Sequence, residues 1–345
     1  MTISQHNTMN PESLLSRFAD KLTPLLNEAG LDTSFFSDPE VECSEGSWVK
    51  LLELAGQQIE DNIGLRFGSE IRSQDLGVLG QALRSMDRLE EVLQGTSRYI
   101  VTRSQVEQVD ISTSGWLVTV SYHITDPTII PRRQDSEFTL ALMLSCFREL
   151  TASALRPVRV DFEHARPKDL TLHREFFHCP LQFNQDCNRL YFSKSVLELP
   201  VRTANKRLLH ALEPFLEEQR RLRSQPVSLL SEVSQAIAAE LRLGRVGLVQ
   251  VAESLNMSVR TLQRRLGDLD LEFGELVEEV RRALALEYVG NSSYRLTDVA
   301  LMLGYAEPSS FSRAFRRWTE LTPREFRKRA GKQRSNGKKK TPPTA

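Results

Sequence analysis

Arg260, Gln263 and Arg264 stand within five residues of one another, and Ser309, Ser312 and Arg313 recur in a similar setting further along. Arginine can bond both acceptors of guanine and glutamine can bond adenine bidentately, so the first trio suits base edges. Serine and arginine suit either base edges or phosphates. That chemistry requires the side chains to project together from one rigid rod. The sequence around each set provides one. Residues 249–266 read VQVAESLNMSVRTLQRRL and residues 297–315 read TDVALMLGYAEPSSFSRAF. Both give a short amphipathic helix, a tight turn, and a second helix with arginines on its open face. This is the pattern of a helix-turn-helix, whose second helix can enter the major groove of DNA.

In the first unit Ala252, Leu255, Leu262 and Leu266 form the inner side. Small Ala252 allows the helices to approach, and Ser258 is placed to cap the second helix by accepting a backbone N–H. Helical spacing then turns Arg260, Gln263 and Arg264 outward. In the second unit Val299, Ala300 and Leu303 are inner, Gly304 supplies a left-handed turn, and Pro308 opens the next helix. Phe311, Phe315 and Trp318 face the core, leaving Ser309, Ser312 and Arg313 outside. Ala252 to Leu262 is ten residues and Ala300 to Phe311 eleven, so the second turn is one residue longer. Between the units, Phe273 to Val289 reads as a continuous helix about 25 Å long. Such a strut would hold two recognition helices apart for neighbouring major-groove faces, about 34 Å from each other. Arg316, Arg317 and Arg327 to Arg329 are the expected phosphate contacts.

The elements before residue 226 differ in character. Helices are expected at Pro11–Ala29, Ser47–Ile63, Gly77–Leu93, Glu137–Leu155 and Thr203–Arg223, from apolar residues at helical spacing. Trp116–Ile124 is rich in β-branched and aromatic residues, and Val158–Phe162 alternates apolar and charged, so both read as strands. Leu181–Phe183 and Leu190–Phe192 flank a polar turn and are expected to pair as a hairpin. The fold class expected is an α+β amino-terminal domain followed by an all-α domain with two helix-turn-helix units joined by a linker helix. The boundaries fall at 1–225, 226–331 and a basic tail over 332–345, which has nothing to bury and is expected to be disordered. The break is placed in the polar stretch Ser224, Gln225 and Pro226.

Length and composition agree with this division. The 345 residues, 40% of them apolar, suffice for two ordinary cores. Net charge is zero, yet residues 227–345 carry 20 Lys+Arg against 14 Asp+Glu, a surplus of six that the rest of the chain offsets. The excess positive charge therefore lies with the repeats. No apolar run approaches a membrane span, and the opening lacks the order of a secretion signal, so a cytoplasmic chain is expected.

Little else in the sequence points to chemistry. Asp161, Glu163 and His164 are close together, but no GxSxG, HExxH, Walker or dinucleotide fingerprint accompanies them. Strand alternation would place Asp161 and Glu163 on one face with His164 opposite. His164 or Arg166 lining an effector pocket is one reading, and a structural histidine is the plainer one. His173, His178, Cys179 and Cys187 match no standard zinc spacing, and Cys43 and Cys146 form no CxxC, so idle thiols are expected. No catalytic residue, metal or cofactor is expected. The amphipathic helix Thr203–Arg223 (Leu208, Leu209, Leu212, Phe215, Leu216) either pairs with a second subunit or packs on its own domain.

The second half resembles the DNA-binding domain of the AraC/XylS family of bacterial transcription regulators. The matching text is AESLNMSVRTLQRRL, the linker VRRALALEYV with Arg281 and Ala285, DVALMLGYAEPSSFSRAFRRW, and the closing TPREFR. The resemblance covers about a hundred residues. It implies that Arg260, Gln263, Arg264, Ser309, Ser312 and Arg313 occupy base-reading positions. Asp270 and Glu320 stand where the family usually has glycine, and Glu307 where an Asp commonly caps; local softening is expected there. The front half resembles the amino-terminal domain of the subgroup that includes the ornithine-utilisation regulator, through DNIGLRFG, DLGVLGQAL, VRVDFEHARP and PLQFNQDCNRLYFSKSVLELP. That domain is regarded as sensing a small effector and supporting dimerisation, and it differs from the cupin-like barrel of the arabinose regulator. The partners so implied are double-stranded promoter DNA, RNA polymerase, a small-molecule effector and a second copy of the chain, with no membrane. The function expected is a sequence-specific regulator, an activator under effector control. An effector-independent regulator governed by a protein partner or by abundance is the alternative, and an enzyme fused to a DNA-binding module a more distant one.

Overall fold

The computed structural model describes residues 8–9, 14–36, 41–223, 229–244, 246–290 and 294–336. Contacts within the chain divide it into two units: Gln5–Ile124 with Arg132–Gln225, and a second built on the residues from Pro226 onward. Ser224, Gln225 and Pro226, read as the boundary, lie outside the described residues, as do 11–13 and 337–345.

The front unit opens with short pieces. Strand β1 (Thr8–Met9) pairs antiparallel with β2 (Cys43–Ser44), and between them lie α1 (Ala19–Leu22) and α2 (Leu26–Ala29). Over 14–29 the expected single helix is instead a series of one-turn α and 3-10 segments. Pro24 within the Thr23–Leu25 turn cannot donate an N–H to the preceding turn, which breaks a continuous rod. Then come α3 (Glu45–Gln58), α4 (Ile63–Glu70), α5 (Gly77–Ser85) and α6 (Leu89–Tyr99). The expected helices at 47–63 and 77–93 are thus each divided. The second break has a tertiary cause. Met86 and Arg88 are extended, Leu89 N donates to Leu199 O and Val201 N to Asp87 O, so the chain pairs with residues 199–201.

A five-stranded sheet follows: β3 (Glu107–Ser114), β4 (Leu117–Ile124), β5 (Arg159–Asp161), β6 (Leu181–Gln182) and β7 (Asn188–Ser193), in the order β3-β4-β7-β5-β6. In β4 Val118, Val120, Tyr122 and Ile124 are buried and their neighbours are not, the period-two pattern of a half-covered sheet. The expected hairpin of 181–183 with 190–192 does not form. Strand β5 sits between them, parallel to β6 and antiparallel to β7. The polar segment after β6 turns back onto the end of β5, Gln185 N donating to Phe162 O and Asn184 N to His164 O, which leaves no tight turn to join the two strands.

Covering the sheet is α7 (Arg133–Thr151), buried on nearly every side and ended by Ala152 in the left-handed conformation. It crosses α4 at Gly64 and Gly68, where a Cβ would stand 2.0 Å from Gln134 O and 2.1 Å from Phe138 O. Only hydrogen fits at that crossing. The small helix α8 (Thr171–Phe177) and the long α9 (Lys206–Arg223), with Pro214 inside it, complete the unit.

The second unit is helical: α10 (Leu229–Arg242), α11 (Leu248–Ser254), α12 (Val259–Gly267), α13 (Phe273–Gly290), α14 (Leu296–Met302), α15 (Pro308–Thr319) and α16 (Pro323–Asn336). Val251, Ala252, Leu262, Leu266, Val280, Ala285, Val299, Leu303, Phe311 and Phe315 share one core. The reading of 332–345 as tail is corrected in part, since α16 continues through Asn336. Its start is a capping box: Glu325 Oε2 accepts from Thr322 N at 2.8 Å, and Thr322 Oγ1 accepts from Glu325 N at 3.3 Å. No described helix is long and apolar enough to cross a membrane.

Candidate nucleic-acid interface

Helices α11 and α12 form one short pair and α14 and α15 another, with α13 between them in the chain. Ser258 caps α12 by accepting from Thr261 N at 3.1 Å, and Asn256 in the left-handed region makes the turn before it. Gly304 (φ 76°) makes the corresponding turn before α15, and Pro308 is its first residue. Glu307 precedes Pro308 with no side-chain cap, so α15 starts less well satisfied than α12. Leu262 and Leu266, and Phe311 and Phe315, bury one side of each second helix.

The opposite sides carry the residues singled out from sequence. Arg260, Gln263 and Arg264 are all exposed on α12, together with Arg265. On α15 Ser309 and Arg313 are exposed, and Arg313 donates to Ser310 Oγ at 3.2 Å. Ser312 is half-buried, and its hydroxyl donates back to Pro308 O at 2.9 Å. Arg316 is exposed. Arg317 pairs with Glu278 of α13 at 3.2 Å. Arg327 is half-buried and donates to Val289 O at 2.8 Å, capping the last turn of α13.

Arg281 fixes these elements to one another. From α13 its Nε donates to Leu303 O at 3.0 Å, its guanidinium lies 5.2 Å from the Tyr305 ring centre, and it pairs with Glu278. One arginine thus ties the strut to the turn that aims α15, a role that spacing alone does not reveal.

Asp270 (φ 54°) and Glu320 (φ 62°) both occupy the left-handed region, where a Cβ crowds the backbone. Glu320→Gly is expected to stabilise the second unit by about 0.5–1 kcal/mol, the relief of strain outweighing the added freedom of the unfolded chain. Urea unfolding of the full chain measures this. An unchanged or lowered midpoint would show that Glu320 is at ease there.

In the front unit Asp161, Glu163 and His164 are engaged internally, whereas Arg166 is exposed. Glu163 takes a bidentate pair from Arg132, at 2.7 and 3.0 Å, and Asp161 accepts from Tyr191. Glu137 receives Arg133 Nε at 2.9 Å and stands 3.0 Å from His173 Nε2 and 3.5 Å from His164 Nε2. Burial opposes the charge of Glu137, yet Arg133 and the two histidines hold it down at about 2. Burial also pulls His164 down to about 4, with Glu137 resisting. The four cysteines are free thiols, Cys43, Cys146 and Cys187 of them buried.

Comparison with known proteins gives this arrangement a family. The arabinose-binding domain of AraC transcription regulators (N-terminal) matches residues 21–201, and a helix-turn-helix domain matches residues 251–329. The transcriptional regulator VirS of Mycobacterium tuberculosis is 29% identical over 326 residues, covering 90% of this chain and 94% of VirS. The ornithine utilization regulator of Pseudomonas aeruginosa is 26% identical over 90% of this chain and 95% of its own. The crystal structure of CdpR from P. aeruginosa aligns at a TM-score of 0.44 with 23% identity, over 91% of this chain and 98% of that one. The chain, then, is a DNA-binding transcription regulator and belongs to the AraC/XylS family.

Proposed function

We propose that the chain is a cytoplasmic, sequence-specific activator, controlled by a small molecule in its front unit and acting through both helix pairs on promoter DNA. The observation that carries this is the pair of second helices, each with its apolar side in one shared core and its polar side exposed. On α12, Arg260, Gln263 and Arg264 read bases. On α15, Ser309 and Arg313 are the better placed readers, and Ser312 must first release Pro308 O. Arg316 is exposed and has no side-chain hydrogen bond among the described residues to break before it takes a phosphate, whereas Arg317 and Arg327 reach the DNA backbone only by leaving Glu278 and the end of α13.

A homodimer is favoured by α9. Leu208, Phe215 and Leu222, seven residues apart, are 39, 50 and 51% exposed, whereas Leu216 is buried in the unit's own core. The helix thus serves its own domain on one side and leaves an apolar stripe on another. RNA polymerase is the partner an activator requires.

Arg264→Ala is expected to weaken binding to the cognate site about tenfold to a hundredfold and to relax base preference at one position, as loss of a bidentate contact costs about 1–3 kcal/mol. Gel-shift titration of the full chain on cognate and scrambled duplexes decides it. An equal loss on both would make Arg264 a phosphate contact.

A further inference from the structure

The two second helices are aimed by different means. Helix α12 starts on its own cap, Ser258 Oγ, which accepts from Thr261 N. Helix α15 has no side-chain cap, and its entry turn is held from another helix, by Arg281 Nε on the Leu303 carbonyl. The turn closes through other carbonyls, Tyr305 N donating to Ala300 O and Gly304 N to Leu301 O, both at 2.9 Å. Leu303 O is therefore an end carbonyl of α14 that Arg281 satisfies.

The hold continues into α15 itself. The Tyr305 ring, beside which the Arg281 guanidinium lies, is 5.6 Å from the ring of Phe311, and Phe311 is buried on the core side of α15. Three residues before Arg281, Glu278 takes both Arg281 and, at 3.2 Å, Arg317 in the last turn of α15. One turn of α13 thus reaches both ends of α15. The two ties are unequal. The Arg317 and Glu278 side chains are 70% and 41% exposed, so that pair adds little. Arg281 is 16% exposed and bonds the carbonyl of a buried residue, which makes it the firmer tie.

We propose that Arg281 is a positioning residue for base reading. Without touching DNA, it sets the angle at which α15 enters its groove, and so the preference for the second DNA segment but not for the first. The assignment rests on the reading of bases by both helix pairs. Arg313 lies about 7.5 Å along α15 from Pro308, so a tilt of about 10° at the start displaces it by about 1.3 Å. Bidentate bonds to a base edge do not survive such a shift, because both distance and angle must hold. Reading side chains need support to within about 0.5 Å. The fixtures of α12, Leu262, Leu266 and Ser258, are its own.

The test compares the native full chain with Arg281→Met, which keeps the stem's packing and removes the donors. Each is used to select duplexes from a random pool, then titrated by gel shift, at several salt concentrations, on the native site with either segment scrambled. The segment whose preference changes in Arg264→Ala is the one α12 reads. Scrambling either segment is expected to cost the native chain tenfold or more, since each mismatch costs about 1–3 kcal/mol. In Arg281→Met the loss is expected to persist for the α12 segment and nearly to vanish for the other, with salt dependence unchanged. If that variant fails to fold, Tyr305→Leu, which keeps an apolar contact for Phe311, is expected to give the same pattern and decides. Both preferences kept, or both weakened alike, would overturn the positioning role. An equal loss on all duplexes with a salt slope lower by about one would make Arg281 a phosphate contact and overturn it too. A native chain that selects fewer than two segments removes the two-helix reading itself, and the proposal with it.

Discussion

Gly68→Ala is expected to destabilise the front unit by about 3 kcal/mol or more, at or beyond the upper end of ordinary overpacking. The added methyl would lie 2.1 Å from Phe138 O, and its counterpart at Gly64 2.0 Å from Gln134 O. Both obstacles are backbone carbonyls of α7, which cannot swing aside as a flexible side chain could. The crossing is further fixed by Gly64 N, which donates to Gln134 Oε1 at 2.8 Å. Moving α7 would also disturb Asp135 and Glu137, which it carries. Urea unfolding followed by the fluorescence of buried Trp48 reads the effect. Gly274→Ala is the control, because its added methyl meets nothing within 4 Å and the change is expected to be neutral or slightly stabilising. Similar midpoints for Gly68→Ala and the native chain would mean that the two helices do not cross this closely.

Asp135→Asn is expected to gain on the native chain by about 2–4 kcal/mol as pH rises from 4 to 8. Burial, then the charge of Glu107, pushes the Asp135 carboxyl from 3.8 up to about 7, against the hydrogen bonds from Tyr122 and Trp48. The folded chain therefore keeps a proton that the unfolded chain gives up. That contribution to stability is complete below 3.8 and is lost as pH climbs through 7. A rise of that size is worth about 4 kcal/mol in full. His164 acts with the opposite sign in an overlapping window: its value falls from 6.5 to about 4, so its contribution is present above 6.5 and disappears as pH drops. The native profile alone would blend the two slopes. Subtracting it from the variant's profile removes His164, which both chains keep, and leaves Asp135 together with the buried acids its charge acts on. Parallel profiles from pH 4 to 8 would show that Asp135 titrates normally.

What could be read from the sequence was what short stretches decide for themselves. Ser258, Gly304 and Pro308 act within their own turns, and the apolar spacing of Leu262 and Leu266 or Phe311 and Phe315 is a property of one helix. Hence the second unit was legible nearly in full. Its lateral ties were less so: neither Arg317 against Glu278 nor Arg327 on the end of α13 follows from periodicity, because each joins residues 38 or 39 apart. In the front unit distant pairing overrode local pattern. Residues 87–89 have helical neighbours yet pair with 199–201, and β5 intrudes between two strands that a polar turn would otherwise join. The convergence of three buried acids was invisible for the same reason. Glu45, Glu107 and Asp135 come from a helix, a strand and another helix, and no spacing links them.

Selection of duplexes from a random-sequence pool by the full chain, followed by sequencing, bears most directly on the reading of DNA by two helices. The expected outcome is one converged site with two base-specified segments about one helical turn, or roughly 10–10.5 base pairs, apart. A pool that never departs from random composition, or that converges on a single segment, would contradict it.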